Sequence, residues 1–321
     1  MILLLGKDND TNINRVIDWL NYYNCHFIRL DFSNEMFQNI EVRFENKKLN
    51  FILKTINGEI LDFNEISYIL FRGGRFNFNI DIELEDYNSV LNFLKLDYET
   101  LISFFYDKLQ KKTLGYINKN PLNKLIQLEM ASLVGLKIPK TLISNNKKTI
   151  KLFFDNNIVI TKAIQENIFI ENYNEILLQY VNNINLNSIK DFFFPSLFQE
   201  KIVPFFHVRS FYLDTKCYSI ATIKTIKNKS IDHRIDHSSN VYTTFSLPKH
   251  IEKKIVLFMQ KIKLVCGSID FICDEKGNYY FLEVNPEGQY EWVSGYGNYE
   301  LDEQIAKFLY EKEKSFKNFK R

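Results

Sequence analysis

The chain has 321 residues, of which 45% are hydrophobic and 25% charged, and its formal net charge is +2. These proportions are typical of a globular protein with a substantial core, in two domains or one multi-lobed domain, and the small net charge argues against a nucleic-acid or membrane partner. The four cysteines form no CxxC pair and no apolar run has the length of a signal peptide or a membrane span, so we expect a cytoplasmic protein without disulfides or zinc.

The first elements predict a strand, a helix and a second strand. Residues 2–5 are an apolar strand, Thr11 is the expected N-cap, and residues 26–30 are the next strand. Apolar residues recur at helical spacing between them: Val16, Ile17, Leu20 and Tyr23. A βαβ beginning predicts a parallel sheet. The turn after the first strand lacks GxGxxG and Walker signatures, so we interpret it as an ordinary connection.

The next segment predicts a hairpin, a strand and a long helix. Residues 41–61 alternate apolar and polar side chains around Asn57-Gly58, a strong hairpin turn. A strand over 66–71 then ends in Arg72-Gly73-Gly74-Arg75, and a helical pattern over 90–109 closes the first lobe.

The middle of the chain predicts a helix followed by short strands. Asn120-Pro121 opens the helix with the proline at its first position, and Gly135 ends it. Lys162 lies in the apolar strand 158–163, where an ammonium group is costly unless it meets an anion. The alternative is a lysine at the strand end that extends into solvent. Further strands are expected over 207–213 and 218–226, and helices over 249–265 and 299–316.

The most informative segment is a hairpin late in the chain. Residues 267–271 and 281–286 are apolar strands that flank the polar turn 274–278. A tight turn places Asp270 opposite Glu283, and alternation directs Glu283 and Asn285 to one face and Leu282 and Val284 into a core. Two carboxylates and an amide oxygen suit Mg²⁺. The alternative is a surface hairpin with scattered acids.

The hairpin resembles the metal-binding hairpin of ATP-grasp ligases. The continuation Glu287-Gly288-Gln289-Tyr290, then residues 295–299 and a last amphipathic helix, is similar to the ATP-grasp peptide maturases called graspetide synthetases, of the grasp-with-spasm type. This resemblance implies an α/β (α+β) ATP-grasp fold with an N-terminal parallel-sheet lobe, a small central lobe and a C-terminal metal-binding lobe. The implied domains are 1–115, 116–198 and 199–321, with ATP between the last two.

The resemblance also implies which residues hold the nucleotide and the metal. The nucleotide residues are Lys124, Lys162, Glu200, Ile202 and Val203, and the ligands of two Mg²⁺ ions are Asp270, Glu283 and Asn285. For Lys124, a solvated lysine in a first helical turn is the competing interpretation. For Glu200, the competing interpretation is a residue of a polar connector before Pro204.

Two basic residues resemble catalytic residues of the family: Arg209, which would lie close to the reacting phosphate, and Arg234, which would approach the phosphates or the substrate carboxylate. A strand arginine can take two phosphate oxygens at once. Lys224, on the next strand, is either a third catalytic residue beside Arg209 or a surface cross-strand partner. The implied peptide-binding residues are Arg72, Arg75 and Asp232. The two glycines between Arg72 and Arg75 depart from the family pattern of adjacent basic residues.

The implied function is ATP- and Mg²⁺-dependent macrocyclisation of a ribosomally made precursor peptide with a leader segment. An Asp or Glu side chain would be phosphorylated and joined to Ser or Thr as an ester, or to Lys as an amide. Two alternatives remain: an ATP-grasp amino-acid ligase acting on a protein or peptide terminus, and a non-catalytic nucleotide-binding regulator. No nucleic-acid or membrane partner is expected, and a homodimer is left open.

Overall fold

The computed structural model describes residues 1–31, 36–45, 48–74, 76–78, 87–118, 120–155, 157–164, 169–172, 175–178, 182–184, 188–224 and 240–320. Five β-sheets lie within these ranges, one of them parallel and three of them wholly antiparallel. This mixture confirms the predicted α/β (α+β) class.

The N-terminal part contains a parallel sheet and an antiparallel hairpin sheet. Its elements in chain order are β1 (Ile2–Gly6), α1 (Thr11–Tyr22), β2 (Phe27–Asp31), β3 (Met36–Glu45), β4 (Lys48–Thr55), β5 (Ile60–Asp62), β6 (Tyr68–Phe71), β7 (Asn77–Phe78), α2 (Tyr87–Gln110) and β8 (Thr113–Leu114). The parallel sheet has the order β2-β1-β6-β8, and the other sheet has the order β5-β4-β3-β7. The predicted βαβ unit and parallel sheet are confirmed.

The start of α1 differs from the prediction by one residue. Asp10, not Thr11, is the N-cap, and its Oδ1 accepts hydrogen bonds from the backbone N–H groups of Asn12 at 2.9 Å and Ile13 at 3.1 Å. A carboxylate satisfies two unpaired amide groups here, where a threonine hydroxyl accepts fewer bonds. The cap therefore fixes Asn12 in the first turn.

The central part is built on an antiparallel sheet with the order β13-β10-β14-β9. Its elements are α3 (Lys124–Leu133), β9 (Thr141–Asn146), α4 (Lys147–Phe154), β10 (Val159–Lys162), β11 (Phe169–Asn172), β12 (Glu175–Leu178), β13 (Asn182–Asn183) and β14 (Phe192–Glu200). The predicted helix start at Pro121 is wrong. Asn123 caps α3 through a 2.8 Å bond from the Leu125 N–H, so Pro121 lies before the helix. Gly135, with φ of +78°, follows the helix end as predicted.

The C-terminal part is a five-stranded antiparallel sheet with the order β17-β16-β15-β18-β19. Its elements are β15 (Phe206–Leu213), β16 (Lys216–Lys224), β17 (Asn240–Phe245), α5 (Lys249–Lys261), β18 (Cys266–Cys273), β19 (Tyr279–Asn285), α6 (Glu291–Gly297) and α7 (Leu301–Lys320). Helix α5 buries its apolar face against β18 and β19.

The N-terminal and C-terminal parts share one hydrophobic core. Residues of β1 and α1, including Ile2, Val16 and Leu20, are buried together with Ile305 and Leu309 of α7. Burial of this kind stabilises by about 25 cal/mol per Å² of apolar surface. The last helix therefore holds the parallel sheet against the β15–β19 sheet. Within the described residues, no helix is long and apolar enough to cross a membrane.

Candidate active site at the β18–β19 hairpin

The hairpin brings the predicted acids opposite each other. Asp270 pairs with Glu283, and Ser268 pairs with Asn285, so the predicted register is confirmed. The turn is held by Asp274, whose Oδ1 accepts from the N–H groups of Lys276 at 3.0 Å and Asn278 at 2.8 Å. A side chain that binds its own turn in this way fixes the register locally.

The core side of β19 differs from the prediction. The pairing shifts between Asp270 and Phe271, so that Phe271 faces Phe281 and Leu282 is an extra residue in β19. Phe281 and Val284 are buried in the core, whereas Leu282 is half-buried. The prediction that Leu282 points into the core is therefore wrong. A β-bulge inserts one residue and reverses the alternation of side chains beyond it.

Each acid of the pair forms an ion pair with a basic side chain from a different element. Arg209, opposite Asp270 on β15, places Nη1 3.2 and 3.1 Å from the two carboxylate oxygens. Lys124, the first residue of α3, places Nζ 3.0 Å from Glu283 Oε2. The four side chains are 15–25% exposed. Two adjacent carboxylates repel each other, and these cations offset that repulsion.

The guanidinium of Arg209 has more donors than it uses. Its Nε and Nη2 are buried and have no hydrogen-bond partner among the residues that the structure describes. The ring of Trp292 covers it, with the guanidinium carbon 5.8 Å from the ring centroid. A buried unpaired N–H group of a charged side chain is costly, so this arginine is suited to an anion with several oxygens, such as a phosphate.

A buried glutamine that the sequence analysis missed joins α3 to β19. Gln127 is 3% exposed, its Oε1 accepts from the Val284 N–H at 2.9 Å, and its Nε2 donates to the Leu122 carbonyl at 3.1 Å. Val284 follows Glu283, and Gln127 lies one helical turn after Lys124. Gln127 therefore aligns Lys124 with Glu283.

The donor set fits a magnesium ion. Within the described residues, no group of three or more His, Cys, Asp or Glu side chains is arranged to hold a metal. The predicted set contains two carboxylates and the amide of Asn285, whose Oδ1 already accepts from the Glu287 N–H at 3.1 Å. Mg²⁺ is usually held by one or two carboxylates plus water and phosphate oxygens, so this number of acids is sufficient.

Two of the residues predicted to hold the nucleotide, Lys162 and Glu200, lie on the neighbouring central sheet. Lys162 ends β10 and Glu200 ends the adjacent strand β14. The Glu200 N–H donates to the Lys140 carbonyl at 2.9 Å. Ile202 and the exposed Val203 lie in the connection from β14 to β15, between the central and C-terminal sheets. Their roles stay predictions.

Lys224 is not beside Arg209. Arg209 pairs with Ile220, and Lys224 lies four residues further along β16, opposite Asn240 of β17. At about 3.3 Å per residue this offset is about 13 Å. The alternative that places Lys224 beside Arg209 is therefore wrong, because in the antiparallel register Lys224 lies beyond the first residue of β15.

Arg72 joins the N-terminal part to the segment after the hairpin. Its Nε lies 3.0 Å from Asp10 Oδ2, and its Nη1 donates to the carbonyls of Glu287 at 2.7 Å and Gly288 at 3.0 Å. Gly288 has φ of +58°, and a Cβ there would lie 2.8 Å from Phe211, so only glycine fits. A peptide-binding role for Arg72 stays a prediction. Arg75, Asp232 and Arg234 lie outside the described residues.

Comparison with solved structures identifies the fold. The chain has a TM-score of 0.75 to a Chryseobacterium gregarium RiPP-associated ATP-grasp ligase in complex with ADP and a leader and core peptide, at 20% identity over 97% of this chain and 96% of that one. It has a TM-score of 0.70 to the macrocyclase MdnC of Microcystis aeruginosa, bound with precursor peptide MdnA. The identity is 23%, and the match covers 96% of this chain and 98% of MdnC.

A third structure is the ATP-grasp ligase PsnB, complexed with a variant of a minimal precursor, Mg and ADP, with a TM-score of 0.68. The identity is 14%, and the match covers 97% of this chain and 98% of PsnB. No protein-family model and no curated protein matches the sequence. The chain has the ATP-grasp fold over almost its whole length.

Proposed function

We propose that this chain is an ATP-dependent ligase that macrocyclises a peptide. In this proposal an Asp or Glu side chain of a ribosomally made precursor is activated by ATP and joined to a Ser or Thr hydroxyl or a Lys amine of the same peptide. The observation that carries the proposal is the pair Asp270 and Glu283, opposite each other on one hairpin and each beside a cation from another element.

The substrate class is supported by the similarity over whole chains. The three ligases were solved with precursor or leader and core peptides, and two of them with ADP. The similarity covers 96–97% of this chain, including the N-terminal part as well as the central and C-terminal parts. We therefore infer a peptide substrate with a leader, and the cytoplasm as the expected site of action.

Asp270, Glu283 and Asn285 would hold Mg²⁺, which neutralises the phosphate oxygens of ATP when it is bound. Arg209 would then exchange part of its contact with Asp270 for the transferring phosphoryl group, using its unpaired Nε and Nη2. Lys124 would turn from Glu283 to a phosphate oxygen. Because both cations already lie at the acids, little reorganisation is needed when the nucleotide enters.

The remaining nucleotide contacts would come from the central sheet and from the connection after it. Lys162 would bind a phosphate, Glu200 the nucleoside, and the backbone and side chains of Ile202 and Val203 the adenine ring. Arg234 would add positive charge to the reacting phosphate, and Arg72, Arg75 and Asp232 would position the peptide.

The reaction has two steps. A peptide carboxylate oxygen attacks the γ-phosphorus, the bond to ADP breaks, and an acyl phosphate forms. The hydroxyl or amine then attacks the acyl carbon, the carbon–oxygen bond to phosphate breaks, phosphate leaves with the electron pair, and the nucleophile loses a proton. The protein supplies charge stabilisation and proximity, so no nucleophilic side chain of the enzyme is needed.

A groove beside α3 is where we expect the leader to bind. It has a volume of about 440 Å³, and its apolar lining includes Leu125, Leu128, Leu133, Ile138 and Ile143. Leu133 is 65% exposed, so Leu133→Glu changes the groove without disturbing the core. We expect this variant to weaken leader binding at least tenfold in a calorimetric titration, while Leu152→Glu, at an equally exposed leucine of α4, has no effect.

The test is incubation of the protein with ATP, Mg²⁺ and a Ser-, Thr-, Lys-, Asp- and Glu-containing peptide encoded beside its gene. The proposal predicts loss of one water mass per ring, together with one ADP. Gain of an amino-acid mass would favour the terminal amino-acid ligase. ADP formation that is absent from the wild type or unchanged in Glu283→Ala would favour the nucleotide-binding regulator.

A further inference from the structure

A second cavity borders the candidate active site. It has a volume of about 340 Å³ and is lined by Asn12, Arg72, Gln289, Glu291 and Trp292. Trp292 also covers the guanidinium of Arg209, which contacts Asp270. Trp292 is therefore shared by the cavity and the predicted phosphate site, so a group in the cavity would lie close to that site.

The positive charge in the lining is already neutralised. Arg72 forms an ion pair with Asp10 at 3.0 Å, and Nη1 donates to two backbone carbonyls. The Arg72 side chain is only 12% exposed. Because these bonds hold Arg72 to the wall, an anionic occupant would have to compete with Asp10 for it.

Among the other polar lining residues, Asn12 and Gln289 each supply an amide with one acceptor oxygen and one NH2 donor, and Glu291 supplies carboxylate acceptors. Asn12 is 8% exposed, and its Oδ1 is buried without a hydrogen-bond partner among the residues that the structure describes. Glu291 contacts Arg15 at 3.2 Å, but both side chains are about half exposed, so this pair is weak and leaves acceptor capacity. The face of Trp292 adds an aromatic surface that attracts cations.

We propose that this cavity binds the ammonium group of a lysine side chain of the peptide, and that the enzyme therefore forms amide crosslinks. The inference rests on the proposed ligase function and names its nucleophile. Asn12 Oδ1 accepts one ammonium hydrogen, Glu291 a second, and Trp292 lies against the cation. The bound ammonium first gives one proton to Glu291, which leaves a neutral amine. In the second step the amine nitrogen bonds to the acyl carbon, the carbon–oxygen bond to phosphate breaks, and phosphate leaves with the electron pair and takes up the second proton that the nitrogen loses.

Binding is measured without ATP, by the emission of Trp292. The chain has two tryptophans, so Trp19→Phe leaves Trp292 as the single reporter. The probe is Nα-acetyl-lysine methylamide, compared with the norleucine analogue, which has no charge, and the glutamate analogue, which is anionic. We expect a saturable change with the lysine probe and binding at least tenfold weaker with the other two.

Three variants and one control assign the contacts. Asn12→Leu and Glu291→Gln should each weaken binding of the lysine probe about tenfold or more. Asn12→Asp retains the acceptor and adds charge, so it should bind the probe more tightly, a gain that a misfolded variant would not show. Asn21→Leu makes the same change as Asn12→Leu at an exposed position of α1 and should leave binding unchanged.

Three results would overturn the inference: tighter binding of the glutamate probe, weaker binding in Asn12→Asp, or no saturable signal with the lysine probe. Each is distinct from failure of the proposed ligase function, because the fluorescence titration requires neither ATP nor turnover. A peptide that loses water only at Ser or Thr would leave the ligase function intact while contradicting the choice of lysine.

Discussion

Gln127 should determine whether α3 holds its lysine at the hairpin. Gln127→Leu removes both polar ends at nearly constant volume and leaves the Val284 N–H and the Leu122 carbonyl without their present partner. Each buried unsatisfied group costs about 1–3 kcal/mol, so for two groups we expect a loss of about 2–6 kcal/mol in the free energy of unfolding. At about 2 °C per kcal/mol for a chain of this size, Tm falls by roughly 4–12 °C.

The assay is thermal and urea unfolding of the two proteins, followed by the KM for ATP. Because Lys124 is aligned with Glu283 through Gln127, KM should rise while the wild-type peptide preference is kept. Gln260→Leu is the matched control, since Gln260 is exposed on α5. If Gln127→Leu has the stability and the KM of Gln260→Leu, the proposed link between α3 and β19 is wrong.

Three further predictions follow from other contacts. Arg209→Met should lower kcat about 10²–10³-fold, and Arg209→Lys should recover only part of the rate. Equal rates in the wild type and Arg209→Met would exclude a phosphate role for Arg209. Arg72→Leu should lower the free energy of unfolding by about 3–5 kcal/mol by leaving Asp10 unpaired; a change in peptide KM alone would instead favour the peptide-binding role. Burial raises the pKa of Asp302 above its unfolded value, so its contribution to stability is greatest in acid and is lost as pH rises through the folded pKa. The Tm of Asp302→Asn relative to wild type should therefore increase from pH 4 to pH 7; a constant difference would contradict this.

The features that could be predicted from the sequence are set by local chemistry. The hairpin register follows from a turn closed by Asp274 and from alternation in two apolar strands, so Asp270 and Glu283 were correctly placed opposite each other. Gly135 marks a helix end because its positive φ is unfavourable for other residues.

The features that could not be predicted depend on contacts across the fold. The bulge that puts Phe281 in place of Leu282 has no marker in the sequence of β19, since both residues are large and apolar. Gln127 reaches a residue 157 positions away, and Asn12 lines a cavity with residues of α6. From the sequence alone, a polar residue on a helix is predicted to be exposed, because the partner that buries it is not known.

The central claim is that Asp270, Glu283 and Asn285 hold the metal of the nucleotide. The most direct measurement is anomalous scattering from Mn²⁺ in crystals grown with ADP, since Mn²⁺ shares the oxygen ligands of Mg²⁺. We predict two peaks, which between them lie about 2.0–2.3 Å from oxygens of all three side chains, with Lys124 moved away from Glu283. A peak elsewhere, or a nucleotide bound while Lys124–Glu283 and Arg209–Asp270 stay as they are, would contradict the claim.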